Sequence, residues 1–370
     1  MRADGRWAAY YNLGTQGGKR RRKYFYAHSR KEVTNKLAKA QRQNQTLGYF
    51  IDDWYKNSVA IRLKPKTRVS YQRQVYRYII PNLGSIPLVV LSPYEVQELI
   101  NKLSGMGLSP ASVKLANSVL KCALGKAELW GLVNRNVAKM VDLPRARRHN
   151  FVPLSPEQAR IFLAAAHGNR LEALYILAIT LGIRQGEVLG LKWEDTDMET
   201  GTLRIRHALQ RVDGKLELVE PKSECSRRTI HLPPISRNAL LAHRSRQNNE
   251  KLRSGPKWQE NGFIFATPIG TPMDSRNFYR RDFKPLLNKA GLPNIRFHDL
   301  RHTAATLFLN QGVSPRVVMD VLGHSQIAYT LNTYCHVSDQ LQIDAMDKMD
   351  QIFQEEGVSE RLKAYRGEVV

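Results

Sequence analysis

A chain of 370 residues with 57 Lys+Arg against 33 Asp+Glu carries a formal charge of +24, a long-range attraction for polyanions that makes nucleic acid the first partner to consider. Its 42% hydrophobic content excludes a disordered polycation and suffices for two or three packed domains. The three cysteines, Cys122, Cys225 and Cys335, are too dispersed for a disulfide framework or a thiolate zinc cluster; the longest apolar run, residues 171–183, is too short for a bilayer and contains Glu172, and no apolar signal core opens the chain, so a cytoplasmic location is expected.

Residues 1–44 mix rings with cations: Trp7, Tyr10 and Tyr11 precede Gly17-Gly18, and Lys19, Arg20, Arg21, Arg22 and Lys23 lead into Tyr24, Phe25 and Tyr26. The alternation predicts a β-hairpin turning at the glycines, then a helix over about 29–43. Interleaved cations and rings suit the backbone and groove of DNA. A solvated charge run is the competing reading, and the aromatics argue against it.

Residues 45–143 read as a compact helical domain of four or five helices, with apolar spacing in Phe50-Ile51-Trp54-Tyr55 and in Val113, Ala116, Leu120 and Leu124. Ser92-Pro93-Tyr94-Glu95 predicts a helix start with a capping box, and Ser109-Pro110 predicts another start. Lys64, Lys66, Arg68, Arg73 and Arg77 fall on or near one helix and are candidates for facing DNA, with simple solubilising lysines and arginines as the alternative.

Residues 144–152 read as a polar, basic linker containing Arg145, Arg147 and Arg148, which would follow a DNA groove between two closing domains or serve as an ordinary hinge. Beyond it, residues 153–350 are predicted to be helical with one β insertion, starting at the cap Ser155-Pro156-Glu157-Gln158. Leu203 and Ile205 alternate with polar neighbours, Asp213-Gly214 signals a hairpin turn, Leu216 and Leu218 alternate again, and Ile230 and Leu232 mark a third strand. Lys222 then falls in or beside the turn between the second and third strands. Residues 351–370 read as a tail. The predicted class is therefore mainly α with small β elements: a hairpin and helix, a helical domain, and a mixed α/β domain.

Cleaving a phosphodiester without metal needs a nucleophile, cations against the non-bridging oxygens, and an acid for the leaving oxygen. Arg184 follows Gly182, which is predicted to stop a helix, so its guanidinium would stand at an interhelical turn, with Glu187 three residues on as a possible ion-pair partner. Arg301 shares a helical face with His298, while Leu300, Ala304, Leu307 and Phe308 turn to the core. Two arginines hold one phosphate by bidentate hydrogen bonds better than lysines do. Tyr334 supplies a hydroxyl nucleophile. His298 and His302 are also at metal-ligand spacing, but His298-Asp299-Leu300-Arg301-His302 lacks the glutamate that follows the first histidine in a zinc-hydrolase motif. The carboxylates of Glu194-Asp195-Thr196-Asp197 read as an exposed turn rather than a two-metal centre. No metal and no cofactor are expected.

The order Arg184, Lys222, His298-Asp299-Leu300-Arg301-His302, Leu322-Gly323-His324 and Tyr334 resembles the tyrosine recombinase family of phage integrases, over about 151–340. Residues 46–143 are similar to that family's helical core-binding domain, and the N-terminal segment to its arm-site-binding domain. The resemblance implies that Tyr334 attacks the scissile phosphate to form a 3′-phosphotyrosyl bond, that Arg184 and Arg301 clamp the phosphate, and that Lys222 protonates the 5′ oxygen. It further implies that His298 assists proton transfer at the tyrosine, that His324 hydrogen-bonds a non-bridging oxygen, and that Glu187 and His302 support them; His336 fits the family's pattern two residues past the nucleophile. The implied partners are double-stranded DNA at core and arm attachment sites, a homotetramer on that DNA, a directionality factor and a DNA-bending protein.

Leu341, Ile343, Met346, Met349, Ile352 and Phe353 form an apolar stripe, either packing on their own domain or, as the resemblance implies, docking on a neighbouring protomer. Site-specific recombination of a mobile element is the leading expectation. A type IB topoisomerase-like enzyme, a dimer-resolving recombinase and a non-catalytic DNA-binding regulator are the alternatives.

Overall fold

The structure, a computed structural model, describes residues 4–16, 19–43, 45–145, 153–220, 226–323, 346–347 and 351, with the backbone alone for 11–16, 19–21 and 37–43. The chain divides into two compact units, residues 1–149 and 150–370. The expected turn at Gly17-Gly18 and the linker residues Arg147 and Arg148 lie outside the described residues.

In the first unit β1 (Trp7–Gln16) and β2 (Lys19–Ala27) pair antiparallel, with Tyr10 opposite Tyr24 and Ala8 opposite Tyr26. An irregularity between Asn12 and Gly14 shifts the register. Helix α1 (Arg30–Gln43) opens on Ser29, whose hydroxyl accepts the Glu32 N–H at 3.1 Å, and packs on the hairpin. Ala27 and Val33 are buried there, whereas Tyr10, Tyr24 and Tyr26 stay exposed on alternate hairpin positions.

The rest of this unit is helical. Helix α2 (Leu47–Trp54) continues through a π-helical turn, Tyr55–Val59; α3 (Pro65–Arg73) runs through a second one, Gln74–Ile79, into α4 (Ile80–Leu83); α5 (Pro93–Gly105) and α6 (Pro110–Leu129) follow. Read as rods, these are four helices among the described residues. Both starts legible in the sequence are present: Glu95 accepts the Ser92 N–H at 2.9 Å to close a capping box, and Ser109 caps α6. Phe50, Ile51, Trp54, Tyr55, Val113, Ala116, Leu120 and Leu124 are all buried in one core. Helix α3 buries no side chain, which leaves its basic residues in water.

The second unit holds α7 (Pro156–Ala166), α8 (Glu172–Leu181) and α9 (Gln185–Leu189), then β3 (Thr196–Asp197), β4 (Thr202–Ile205), β5 (Ala208–Val212), β6 (Lys215–Val219) and β7 (Arg228–His231). After them come α10 (Pro234–Ser254), α11 (Ser275–Phe278), α12 (Lys284–Lys289), α13 (Phe297–Asn310) and α14 (Pro315–Leu322). Strands β3, β4 and β7 form one antiparallel sheet, and β5 and β6 a separate hairpin turning at Asp213-Gly214, with φ of 46° and 83°. The expected β insertion is thus split, because β4 and β5 are separate strands and β4 pairs with the distant β7. The acidic turn also differs from expectation. Asp195 is buried, capping its 3-10 turn through the Lys192 N–H and lying 3.4 Å from Arg206.

Helix α8 is the apolar run of the sequence, and nearly every side chain of it is buried in the core of this unit. Among the described residues no helix is long and apolar enough to cross a membrane. The architecture is mainly α with small antiparallel β elements, as the sequence predicts.

Candidate active site

Gly182 ends α8 in the left-handed region, at φ 59°, and a Cβ there would lie 2.4 Å from the Leu322 side chain, so glycine alone fits both the backbone and the space. The turn it makes delivers Arg184 to the start of α9. One Arg184 amino group donates to Glu187 Oε1 at 2.7 Å and the other to the Gly323 carbonyl at 2.8 Å. A third of the Arg184 side chain remains exposed, while Glu187 is buried. The other carboxylate oxygen, Oε2, accepts from Arg228 at 3.1 Å. Burial opposes a charge on Glu187, but Arg228 and then Arg184 outweigh it, with Arg301 adding to them, and the carboxyl is held below its ordinary range.

Helix α13 supplies the second group. Asp299 caps it by accepting the Arg296 N–H at 2.8 Å. Arg301 is among the largest fully buried side chains and donates to the Gly182 carbonyl at 2.7 Å, which ties α13 to the turn before Arg184. His298 stands at the surface and His302 is buried beneath it, their rings edge to face with centroids 5.0 Å apart. Desolvation lowers the His298 value and the charges of Arg301 and Arg184 lower it further. Desolvation and His298 lower His302 to about 4. Both imidazoles therefore favour the neutral form.

The structure thus brings together Arg184, Glu187, Arg301, His298 and His302, five of the residues singled out in the sequence. Lys222, His324, Tyr334 and His336 lie outside the described residues, although the carbonyl of the preceding Gly323 is the one Arg184 holds. Arg228, which the sequence did not single out, joins this cluster through Glu187. Its signal was parity: Arg228 shares the inward face of its strand with the buried Ile230.

Of the basic residues proposed to face DNA, Lys64, Lys66, Arg68, Arg73, Arg77 and Arg145 are exposed, as are Arg22 and Lys23. The guanidinium of Arg22 sits 4.6 Å over the Tyr10 ring. Lys19, Arg20 and Arg21 lie on β2, with their backbone alone described.

Residues 153–341 match the phage integrase family, and residues 46–104 match the N-terminal SAM-like domain of phage integrases. The chain is similar to a XerC-like tyrosine recombinase of Caldanaerobacter subterraneus subsp. tengcongensis, 32% identical over 91% of this chain and 94% of that protein. It is 27% identical to an integrase of Saccharopolyspora erythraea, over 95% of each chain. In three dimensions it resembles the Tn1549 transposon integrase in complex with transposon right end DNA, with a TM-score of 0.70 at 22% identity over 83% of this chain and all of that one (100%). A lambda integrase dimer bound to a core site gives a TM-score of 0.56 at 20% identity over 90% of this chain and 93% of that one. With a family model spanning half of it and a relative this similar along nearly its full length, the chain belongs to the phage integrase family and is a tyrosine-type site-specific DNA recombinase, an enzyme that breaks and rejoins DNA strands.

Proposed function

We propose that this recombinase integrates and excises a mobile element, with Arg184 and Arg301 as the phosphate clamp and Tyr334 as the nucleophile. The observation that carries the reading is the joining of Arg184, Glu187 and Arg301 at one turn, beside the carbonyl that precedes His324. The Tyr334 oxygen attacks the scissile phosphorus and the bond to the 5′ oxygen breaks, leaving a 3′-phosphotyrosyl link. Lys222 gives the leaving oxygen its proton. His298, held neutral, is suited to take the phenolic proton, with His302 supporting its ring. Arg184, Arg301 and His324 stabilise the charge that grows on the non-bridging oxygens, where losing one donor typically costs about 100- to 1000-fold in rate. Attack on the phosphotyrosine by a 5′ hydroxyl from the second duplex then yields a Holliday junction, without metal, cofactor or ATP.

Binding to core sites is assigned to the helical part of the first unit, through Lys64, Lys66, Arg68, Arg73 and Arg77, and to Arg145, Arg147 and Arg148 of the linker. Arm sites are assigned to residues 1–44, where Tyr10, Tyr24 and Tyr26 stand exposed with Arg22 and Lys23 on the hairpin. A tetramer on DNA is supported by an apolar groove of about 570 Å³ lined by Thr180, Leu181, Ile230, Phe308, Val317 and Val321, which suits the apolar stripe around Met346 from a neighbouring protomer. A directionality factor and a DNA-bending protein complete the assembly, in the cytoplasm of the host.

The test is a nicked duplex from the DNA flanking the gene, incubated with the protein in chelator. Wild type should give a denaturant-resistant adduct and Tyr334→Phe none, with duplex binding retained. Adduct persisting in Tyr334→Phe would overturn the assignment.

A further inference from the structure

We propose that Arg228 is a positioning residue of this recombinase, one that sets the Arg184 guanidinium for phosphate by holding Glu187 and the end of α14 in a closed ring of hydrogen bonds. The proposal rests on the active site assigned above. Arg228 heads β7, at the far side of the segment containing Lys222, and its side chain is only 7% exposed. Every part of its guanidinium is engaged: Nε donates to the Val321 carbonyl at 2.7 Å, one amino group to the Ser226 carbonyl at 3.2 Å and the other to Glu187 Oε2 at 3.1 Å.

The ring closes through Arg184. Glu187 receives Arg184 on Oε1 and Arg228 on Oε2, and the same two arginines take the carbonyls of Gly323 and Val321. Those carbonyls belong to the last turn of α14 and its cap, where a helix leaves acceptors unsatisfied and its dipole favours cations. Two cations thus fix both the carboxylate between them and the strand of chain that leads into His324.

Occupying Oε2 has a second effect. With that oxygen held by Arg228 and by the Arg184 backbone N–H at 3.3 Å, the Arg184 side chain meets Glu187 through a single amino group and keeps the rest of its fork off the carboxylate. Without Arg228, a bidentate fork with Glu187 becomes available to Arg184 and would draw the guanidinium inward, away from a substrate phosphate. A lysine cannot replace it, because a compact ammonium lacks the planar fork that reaches three acceptors in separate segments.

Arg228→Lys and Arg228→Met are to be compared with wild type for adduct formation in single turnover and for equilibrium binding, using the nicked duplex from the flanking DNA. A second duplex carries a 5′-bridging phosphorothiolate at the intact scissile phosphate, whose thiolate leaves without a proton. We expect both variants to form adduct about 100-fold more slowly with affinity kept within about threefold, the pattern of lost transition-state rather than ground-state contacts. The phosphorothiolate should restore Lys222→Ala but neither Arg228 variant. An adduct rate near that of wild type in a folded Arg228 variant overturns the proposal, and so does restoration by the phosphorothiolate, which would move the effect to proton delivery by Lys222. Loss of the cooperative melting transition in both variants would make Arg228 a folding residue and overturn it as well. Absence of adduct in wild type would fail the active-site reading itself and is thereby distinguishable.

Discussion

The two histidines of α13 differ in what they contribute. His298 is at the surface, while His302 is buried and held neutral, its value lowered to about 4 from an ordinary 6.5. The sign of the resulting pH dependence follows from linkage. Between these two values the unfolded chain binds the proton and the folded chain does not, so stability is full above 6.5, falls as the pH drops and levels off near 4. From pH ~7.5 to ~5 this one group should cost about 2 kcal/mol. Urea midpoints measured at both pH values should therefore differ less in His302→Gln than in wild type; an unchanged difference would contradict the assignment. Glu187 carries an expectation of the same sign, because its carboxyl is also held low, here by Arg228 and Arg184, and the stability it contributes is likewise lost as the pH falls. Glu187→Gln keeps the shape but removes the charge between two arginines, and breaking such a buried pair costs roughly 3–5 kcal/mol, to be read as a lowered denaturant midpoint. Arg184, Glu187, His298 and Arg301 were legible from spacing, since neighbours three or four apart on a helix share a face. The partner of Arg228 was not, because strand parity gives its inward face but nothing within a few residues of it announces a carboxylate 41 residues earlier.

At the scale of elements, short helix α9 is the piece on which the site turns. Its sequence carries Glu187 on one side and glycines on another, and the β5–β6 hairpin rests directly on those glycines: a Cβ at Gly190 would lie 2.8 Å from the Leu209 backbone nitrogen, and one at Gly186 3.0 Å from its carbonyl oxygen. The hairpin leads into the segment that holds Lys222, so this close approach sets where that segment starts. Gly190→Ala should push the hairpin away at a cost of about 1–3 kcal/mol, the usual range for overpacking. It should also slow adduct formation more than it weakens duplex binding, a split that paired cleavage and binding assays would read. Equal loss of both would place the glycine in general folding instead. The caps of α5, α6 and α7 and the turn at Asp213-Gly214 could all be read in the sequence, because each is satisfied by residues within three or four positions. The partner of β4 could not. Alternation gives a strand its faces but not its neighbour, and β4 pairs with β7 across the whole hairpin.

For the molecule as a whole, charge governs encounter with DNA. At +24, binding should weaken steeply with salt, with a log–log slope of about −0.9 per phosphate neutralised on duplex DNA. A titration of affinity against potassium chloride that stays flat would remove the electrostatic account. Deleting residues 1–44 removes the hairpin with its exposed tyrosines and should spare cleavage at a core site while abolishing the bridging of distant sites, as seen by gel shift with two separate duplexes. Full recombination by the shortened protein would count against an arm-site role.

What the sequence by itself determined is the class of the protein and the local pieces: the helix stops at Gly182, the capped starts, the hairpin turn, and the residue types that phosphate chemistry needs. These depend on contacts within a turn or two of chain, which a sequence displays directly. Only the tertiary structure decided that the Arg184 guanidinium would meet the carbonyl of a residue 139 positions later, that Arg301 would reach back 119 positions to Gly182, and that Arg228 would close the ring through Glu187. Those links arise from the packing of α8 and of α14 against α13, a property of the folded chain that no short window of residues contains.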